Sequence, residues 1–360
     1  MATAADERPD GKAVKAPAVF VPADVPQLGV VLVNWNGGDV TIECLESLLR
    51  SDLPIRVAVV DNGSEDGTTE KLIAWASGAT PYQMPDGPLG HLTDLPLEKP
   101  VPLAVISGAA ALESDPGDAR LVLIETGENL GFAGGNNVGM RHLFRDPNIE
   151  AVWLLNNDTV VEPGAARALL ATMKSDRRMG MAGTVVRYYH RPEVVQVLNG
   201  MQFNIWTGQA SGIGGNQPVS RRINPSTITR KTDFILGASL AVSRRFVEEV
   251  GLMSERYFLY YEEIDWATRN RGRFRLGFAR GATVFHKHGG AIGSSSVKGG
   301  RSAMSDYWML RSRLKFYRAH YPALLPLIWV QGLAQTAMRA VRRQPHKAGV
   351  MLKALFGRDL

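Results

Sequence analysis

A chain of 360 residues with 45% apolar and 21% charged residues can bury the core of one large domain or two ordinary ones. Its net charge is +6, and from Tyr307 to the end ten Lys/Arg face one acid, Asp359, which suits a polyanionic neighbour: acidic lipid, nucleic acid or a phosphorylated substrate. The single cysteine, Cys44, excludes an intrachain disulfide and points to a reducing compartment.

Residues 1–26 read as a disordered tail of small, charged and proline residues. They carry no apolar leader, so no signal peptide is expected, and no run approaches about 18 apolar residues, so no transmembrane helix is expected. Val30–Val33 is a short β-rich run, and residues 39–50 follow at helical spacing. Val57–Val60 is a second strand closed by Asp61-Asn62-Gly63-Ser64, and Asp66-Gly67-Thr68 opens a helix reaching about Ser77. This β-α-β-α order predicts a parallel sheet covered by helices. Residues 78–118 are rich in Pro, Gly and Asp and read as an inserted surface segment. Leu121–Ile124 resumes the strands, and a Gly/Asn loop over 129–137 leads to a helix near 138–145. Ala151–Leu155 is a buried strand ending in Asn156-Asn157-Asp158-Thr159, followed by a helix over Gly164–Met173. Further on, Thr232–Val242 reads as a strand pair or loop, 262–271 as a helix, 282–286 as a strand and 303–340 as helical.

Several of these segments could carry chemistry. Asp61 ends a strand, where a carboxylate can meet a base or ribose; it is equally ordinary turn chemistry. The glycines at 131, 134 and 135 could bring backbone amides to a phosphate, or simply make a turn; their spacing is neither GxGxxG nor a P-loop. Asp158 is either a strand-end turn residue or a metal-ligating carboxylate. Glu262-Glu263-Ile264-Asp265 packs three carboxylates after the aromatic run Phe258–Tyr261. Acids suit a helix start, but partial burial would also raise a pKa, as a general base requires. His286 leaves a strand, where it could ligate a metal or make a plain hydrogen bond.

The order of these pieces is more specific than any one of them. From Gly29 to about Gly290 the chain resembles glycosyltransferase family 2, inverting enzymes of GT-A fold, and within it rhamnosyltransferase-like members. The resemblance rests on Val31–Asn36, Val59–Thr68, Asn129–Gly139, Leu154–Val160, Gly237-Ala238-Ser239, Tyr260–Arg269 and Val284-Phe285-His286. It implies an α/β fold with a Rossmann-like, mainly parallel sheet flanked by helices. Its boundaries would be a domain over 27–300 holding the 78–118 insertion, then a basic, amphipathic helical region over 301–360. It implies transfer of a sugar, rhamnose from a thymidine diphosphate donor, to a glycan or lipid-linked acceptor in cell-envelope polysaccharide synthesis. Asp61 falls at the nucleobase-contacting Asp, with Asn34, Asn36, Gly131, Gly134, Asn136, Asn157 and Asp158 as further donor contacts. Gly237, Ala238 and Ser239 fall at the acceptor side. Asp158 matches the last position of the DxD-type motif and, with His286, would hold Mg²⁺ or Mn²⁺. Glu263 falls at the catalytic base, with Glu262 and Asp265 as neighbouring candidates. Two departures stand out: Asn156 replaces the motif's first acid, and the base position holds Glu where Asp is usual.

The aromatic and basic run Tyr307–Arg318 also resembles a segment that follows the catalytic domain in rhamnosyltransferase-like members. With the amphipathic stretch 335–354 it predicts peripheral membrane contact, and hence a cytoplasmic protein at the inner face of the plasma membrane. A homo-oligomer is compatible with the sequence, and a nucleic-acid partner is not expected, since no recognition motif accompanies the charge. The rivals are a galactofuranosyl, mannosyl or N-acetylhexosaminyl transferase on the same scaffold, and a sugar-nucleotide-binding or scaffold subunit without catalysis.

Overall fold

The computed structural model describes residues 25–94, 97–113, 119–287 and 302–360. Nearly all of the expected N-terminal tail, and the His288-Gly289-Gly290 end of the histidine motif, lie outside the described residues.

The chain opens with β1 (Leu28–Asn34), α1 (Gly38–Leu48), β2 (Ile55–Asp61) and α2 (Thr68–Ser77). Then come β3 (Leu103–Ser107), α3 (Gly108–Glu113), β4 (Leu121–Glu125), α4 (Gly131–Leu143) and β5 (Ala151–Asn156). The middle holds β6 (Thr159–Val161), α5 (Ala165–Lys174), β7 (Met179–Tyr188), β8 (Arg191–Leu198), β9 (Gly200–Asn204) and β10 (Gln209–Gly212). It continues with α6 (Pro225–Lys231), β11 (Phe234–Ile235), β12 (Ser239–Ser243), α7 (Arg244–Val250), α8 (Glu262–Asn270) and β13 (Arg275–His286). Three helices close the described chain: α9 (Ala303–His320), α10 (Leu325–Val341) and α11 (Pro345–Leu355).

A ten-stranded sheet runs in the order β3-β4-β2-β1-β5-β12-β7-β13-β6, with β8 on β7. Its first five strands are parallel, as short apolar runs joined by helices require. Residues alternate between the two faces. Val30, Leu32, Val57 and Val59 join one core with α1, α2 and α5, and Val31, Ala58 and Val60 join the other with α4, α7 and α8. Burial on both faces is why these strands read as continuous apolar runs. A separate three-stranded sheet, β10-β9-β11, stands beside it.

Two expectations are corrected. The 78–118 segment is not merely a surface insertion, because β3 is the edge strand of the main sheet, in register with β4 from Leu103↔Leu121. Its Leu103–Ile106 run is as apolar as Leu121–Ile124 of β4, but at the sheet edge it is only half-buried, and the Pro- and Gly-rich residues around it mask the signal. The segment is also tied to the core through buried Glu46, which accepts from Leu97 N at 2.9 Å and Trp75 Nε1 at 2.8 Å.

The Gly/Asn stretch is not a loop. It is the first half of α4, which starts at Gly131. Intrinsic propensity disfavours a glycine-rich helix, but close packing outweighs it. A Cβ on Gly139 would stand 2.6 Å from Val31 Cγ1, so only glycine lets α4 lie this close to β1. Gly139→Ala should therefore lower stability by about 1–3 kcal/mol through overpacking, read as a lower urea midpoint at unchanged slope.

Candidate functional site

Parallel strands end together, so register assembles the polar tips. Asn34 pairs with Asp61 across β1 and β2 and Val33 with Asn156 across β1 and β5, while the antiparallel pair β13 and β6 sets His286 opposite Thr159. Asp158 lies in the turn between β5 and β6, which brings its Oδ1 to 3.1 Å from His286 Nε2. His286 Nδ1 faces Gln196 Oε1 at 3.1 Å, and the Asn156 amide approaches Nε2 at 3.4 Å. With the Gln196 oxygen accepting from Nδ1–H, the Nε2 lone pair converges with the carboxylate. Two Lewis-basic atoms aimed at one point suit a cation. Neighbouring ligands about 2.1 Å from an octahedral ion stand about 3.0 Å apart, so the separation fits one edge of such a shell. The fit is limited to two side chains: among the described residues no three His, Cys, Asp or Glu groups gather to hold a metal.

The second feature is a carboxylate pair at the start of α8. Tyr260 and Tyr261 precede it with φ of +67° and +76°, a region that non-glycine residues rarely occupy. Packing holds this strained turn. Tyr261 OH donates to Gly208 O at 2.7 Å and its ring meets Phe316, while Tyr260 OH pairs with Ser305 Oγ on α9. The turn delivers Glu262 and Glu263. Glu262 is only 1% exposed, and its Oε1 has no hydrogen-bond partner. Burial pushes its pKa well above the ordinary carboxylate value, and the neighbouring charge of Glu263 adds to this. Glu263 is half-buried, and its pKa is raised mainly by burial. Its carboxylate accepts from the Gly237 backbone N–H, and a Cβ on Gly237 would collide with Glu263 Oε1 at 2.0 Å.

Both features line one cavity of about 1090 Å³. Of the expected residues, Asn36, Gly131, Asn136, Asn157, Asp158, Gly237, Ala238, Glu262, Glu263 and His286 line it. Asn34 and Asp61 stand one layer behind. Asp61 is 5% exposed and accepts from Asn34 Nδ2 at 2.9 Å and from Ser64 Oγ at 2.5 Å. Asn34 Oδ1 in turn receives Asn157 Nδ2 at 3.0 Å, so Asp61 braces the wall and does not face the cavity.

Three more of the expected residues stand outside the lining. Asp265 does not line the cavity; its carboxylate is taken by Arg269 Nε at 2.6 Å, Tyr257 OH at 3.1 Å and His320 Nε2 at 2.7 Å. It lies on α8 two residues past Glu263, so it points to another side of the helix. Ser239 is fully buried, where Oγ accepts from Trp153 Nε1 at 2.9 Å and pairs with Thr184 Oγ1. Gly134 packs against Leu130 within α4. Cys44 is buried with its thiol pushed up to about 12, chiefly by burial, so it supplies no nucleophile.

Sequence reasoning missed part of the lining. Gln196 comes from β8, a strand with no clear sequence signal. Lys287 follows His286, and its ammonium is paired with buried Glu43, which also accepts from Tyr189 OH at 2.5 Å. Met304, Trp308 and Met309 of α9 form an apolar end, where Trp308 stacks on Phe258 with centroids 4.7 Å apart. The aromatic density of 307–317 was visible, but its direction toward the cavity was not.

A family model described as glycosyltransferase like family 2 matches residues 103–289, just over half of the chain. The chain belongs to that family. Two curated relatives show the span of the likeness. A low-salt glycan biosynthesis hexosyltransferase, Agl10 of Haloferax volcanii, is 28% identical over 41% of this chain and 45% of its own length. An N-acetylglucosaminyl-diphospho-decaprenol L-rhamnosyltransferase of Mycobacterium tuberculosis is 24% identical over 67% of this chain and 69% of its own length. The match thus spans less than half of the Haloferax relative. Among solved structures, GalNAc-T7 with UDP, GalNAc and Mn²⁺ superposes with a TM-score of 0.52 at 12% identity, covering 79% of this chain and 47% of that one. That likeness speaks for the fold, which is the expected GT-A architecture.

The raised pKa of Glu262 has a measurable consequence. A neutral Glu262 favours the folded state, so its contribution is complete below the unfolded value near 4.5 and is lost as pH rises through the folded value. Glu262→Gln keeps the group neutral at every pH. Its unfolding free energy, read from urea titrations, should match the wild type in acid and exceed it by a margin that grows from pH 4.5 up to the folded value, at no more than about 1.4 kcal/mol per pH unit. A constant difference across pH would contradict the burial of a titrating carboxyl.

Proposed function

We propose that this protein transfers a sugar from a nucleotide-sugar donor to a hydroxyl acceptor with inversion at the anomeric carbon. The observation that carries this reading is one cavity holding both the Asp158–His286 pair and the Glu262–Glu263 pair. Asp158 and His286 would hold a divalent cation, with the donor's own oxygens completing its shell. When bound, that cation would offset charge on the departing diphosphate. Glu263 would take the acceptor's hydroxyl proton as the acceptor oxygen bonds to the anomeric carbon and the bond to the nucleoside diphosphate breaks. The Gly237 N–H anchors the Glu263 carboxylate for that task. Glu262, neutral beside it, keeps a second charge out of the buried turn. Asn157, braced by Asn34 and Asp61, would contact the donor, and Trp308 stacked on Phe258 would offer the acceptor an apolar surface.

The donor proposed is a thymidine diphosphate rhamnose and the acceptor a lipid-linked sugar. The mycobacterial relative supports this choice by name, since it is a rhamnosyltransferase of N-acetylglucosaminyl-diphospho-decaprenol. A panel of dTDP-, UDP- and GDP-sugars, read by melting temperature with and without Mn²⁺ and by release of nucleoside diphosphate on a polyprenyl-linked acceptor, tests the reading. The expected result is a Mn²⁺-dependent shift and turnover with dTDP-rhamnose. Turnover with another donor would overturn the sugar assignment. Shifts without turnover on any donor would favour a binding protein over an enzyme.

A further inference from the structure

The C-terminal helices leave one face unanswered. Tyr321 to Met338 contains no charged residue, yet only one side of α10 is packed. The packed side meets α9 and α11, where Gly332 admits Leu310 and Leu355 and Gln335 accepts from Arg313. The opposite side is solvent-facing and still apolar: Leu327, Val330, Ala334, Ala337, Met338 and Val341 are all exposed, the last to 83%. Their spacing of three and four makes one continuous stripe along a helix about 25 Å long.

Two exposed aromatic residues flank this stripe. Gln331 Nε2 donates to Trp206 O at the tip of the β9–β10 hairpin, and Trp329 meets the Phe356 ring edge-on at 5.9 Å. Positions 329 and 331 lie on opposite shoulders of Val330, at about 100° per residue. Trp206 and Phe356, 59% and 63% exposed, therefore stand on either side of it. The stripe ends in exposed Arg342 and Arg343, and no Asp or Glu occurs between Asp306 and Asp359.

An apolar stripe, aromatic flanks and a basic end at Arg342 and Arg343 fit an anionic bilayer surface. A second copy of this chain fits less well, because the same surface would offer it no acid to answer the arginines. We propose that α10 lies flat in the interface of an anionic membrane, with its apolar stripe below the headgroups. Trp206 and Phe356 sit at headgroup level, and Arg342 and Arg343 rest against lipid phosphates. This surface is independent of the sugar-transfer reading. It does place α9, and with it the apolar end of the cavity, next to the bilayer.

Co-sedimentation of the full chain with vesicles tests this. Binding is expected to vesicles of phosphatidylcholine with phosphatidylglycerol, to weaken with added salt, and to be slight with phosphatidylcholine alone. The pair Arg342→Gln and Arg343→Gln should weaken binding by about thirtyfold, the effect of removing two basic residues at a charged surface. The pair Val330→Asp and Val341→Asp should abolish it, with nucleotide binding unchanged. All four positions are exposed and none lines the cavity, and the arginine pair still decides the matter if the aspartates impair folding. Absence of wild-type binding to phosphatidylglycerol vesicles, or binding indifferent to both pairs, would overturn the proposal. So would a dimer in sedimentation velocity that Val330→Asp dissolves without any vesicle binding, since the face would then belong to a second copy.

Discussion

Glu263→Gln should lower kcat for sugar transfer by about 10²–10⁴-fold, the usual worth of a positioned general base, with donor affinity unchanged. The substitution is nearly isosteric. Its amide oxygen can still accept from Gly237 N–H, so the turn at Tyr260 and Tyr261 keeps its shape and only the proton acceptor is lost. Glu263→Asp retains the carboxylate but shortens the arm by one methylene, which pulls it off the Gly237 anchor; an intermediate rate is expected. Because burial raises the Glu263 pKa, the wild-type rate should rise with pH along a limb above the ordinary carboxylate value of 4.5. That limb should vanish in the Gln variant. Glu262→Gln is the discriminating control, since Glu262 is buried and neutral, so its replacement should leave both the limb and the base in place. Near wild-type turnover by Glu263→Gln, with Glu262→Gln inactive, would move the base to Glu262.

Much of this site was legible because strand ends announce themselves. An apolar run stopping abruptly at Asn156 or Asp61 fixes both the strand and the side of the sheet where ligands gather. The charge cluster at Glu262 was equally visible. What the chain could not reveal was direction. Glu263 and Asp265 differ by two positions on one helix, and only packing decides that one reaches Gly237 while the other meets Arg269 and His320. Asp61 reads as a strand-end carboxylate, but that Asn34 and Ser64 donate to it could not be seen in the chain. The middle strands were hidden for another reason. β8 and β9 alternate between buried and exposed positions, and several of those positions carry Arg, Glu and Gln, so their apolar signal is weak. Glycine misled most at α4, where a helix-breaking composition is required by close contact with β1.

Asp158→Ala should remove the Mn²⁺-dependent part of nucleoside diphosphate affinity, a loss of roughly 100-fold or more if the cation contributes several kcal/mol. The expectation follows from the economy of the site. Where the motif's other acid would stand there is Asn156, whose amide nitrogen lies 3.4 Å from His286 Nε2. Among the described residues Asp158 is the carboxylate paired with the imidazole, and its removal leaves neutral Asn156 beside His286. His286→Ala should cost less, because the carboxylate and the diphosphate oxygens remain. Asn156→Asp should act in the opposite direction. It places a second carboxylate beside His286 and should tighten Mn²⁺ binding even without nucleotide. Calorimetric titration of the diphosphate into each variant, with Mn²⁺ and with chelator, separates these cases. Equal wild-type affinity in metal and in chelator would remove the cation from the binding step and leave Asp158 and His286 as a plain ion pair at the strand tips.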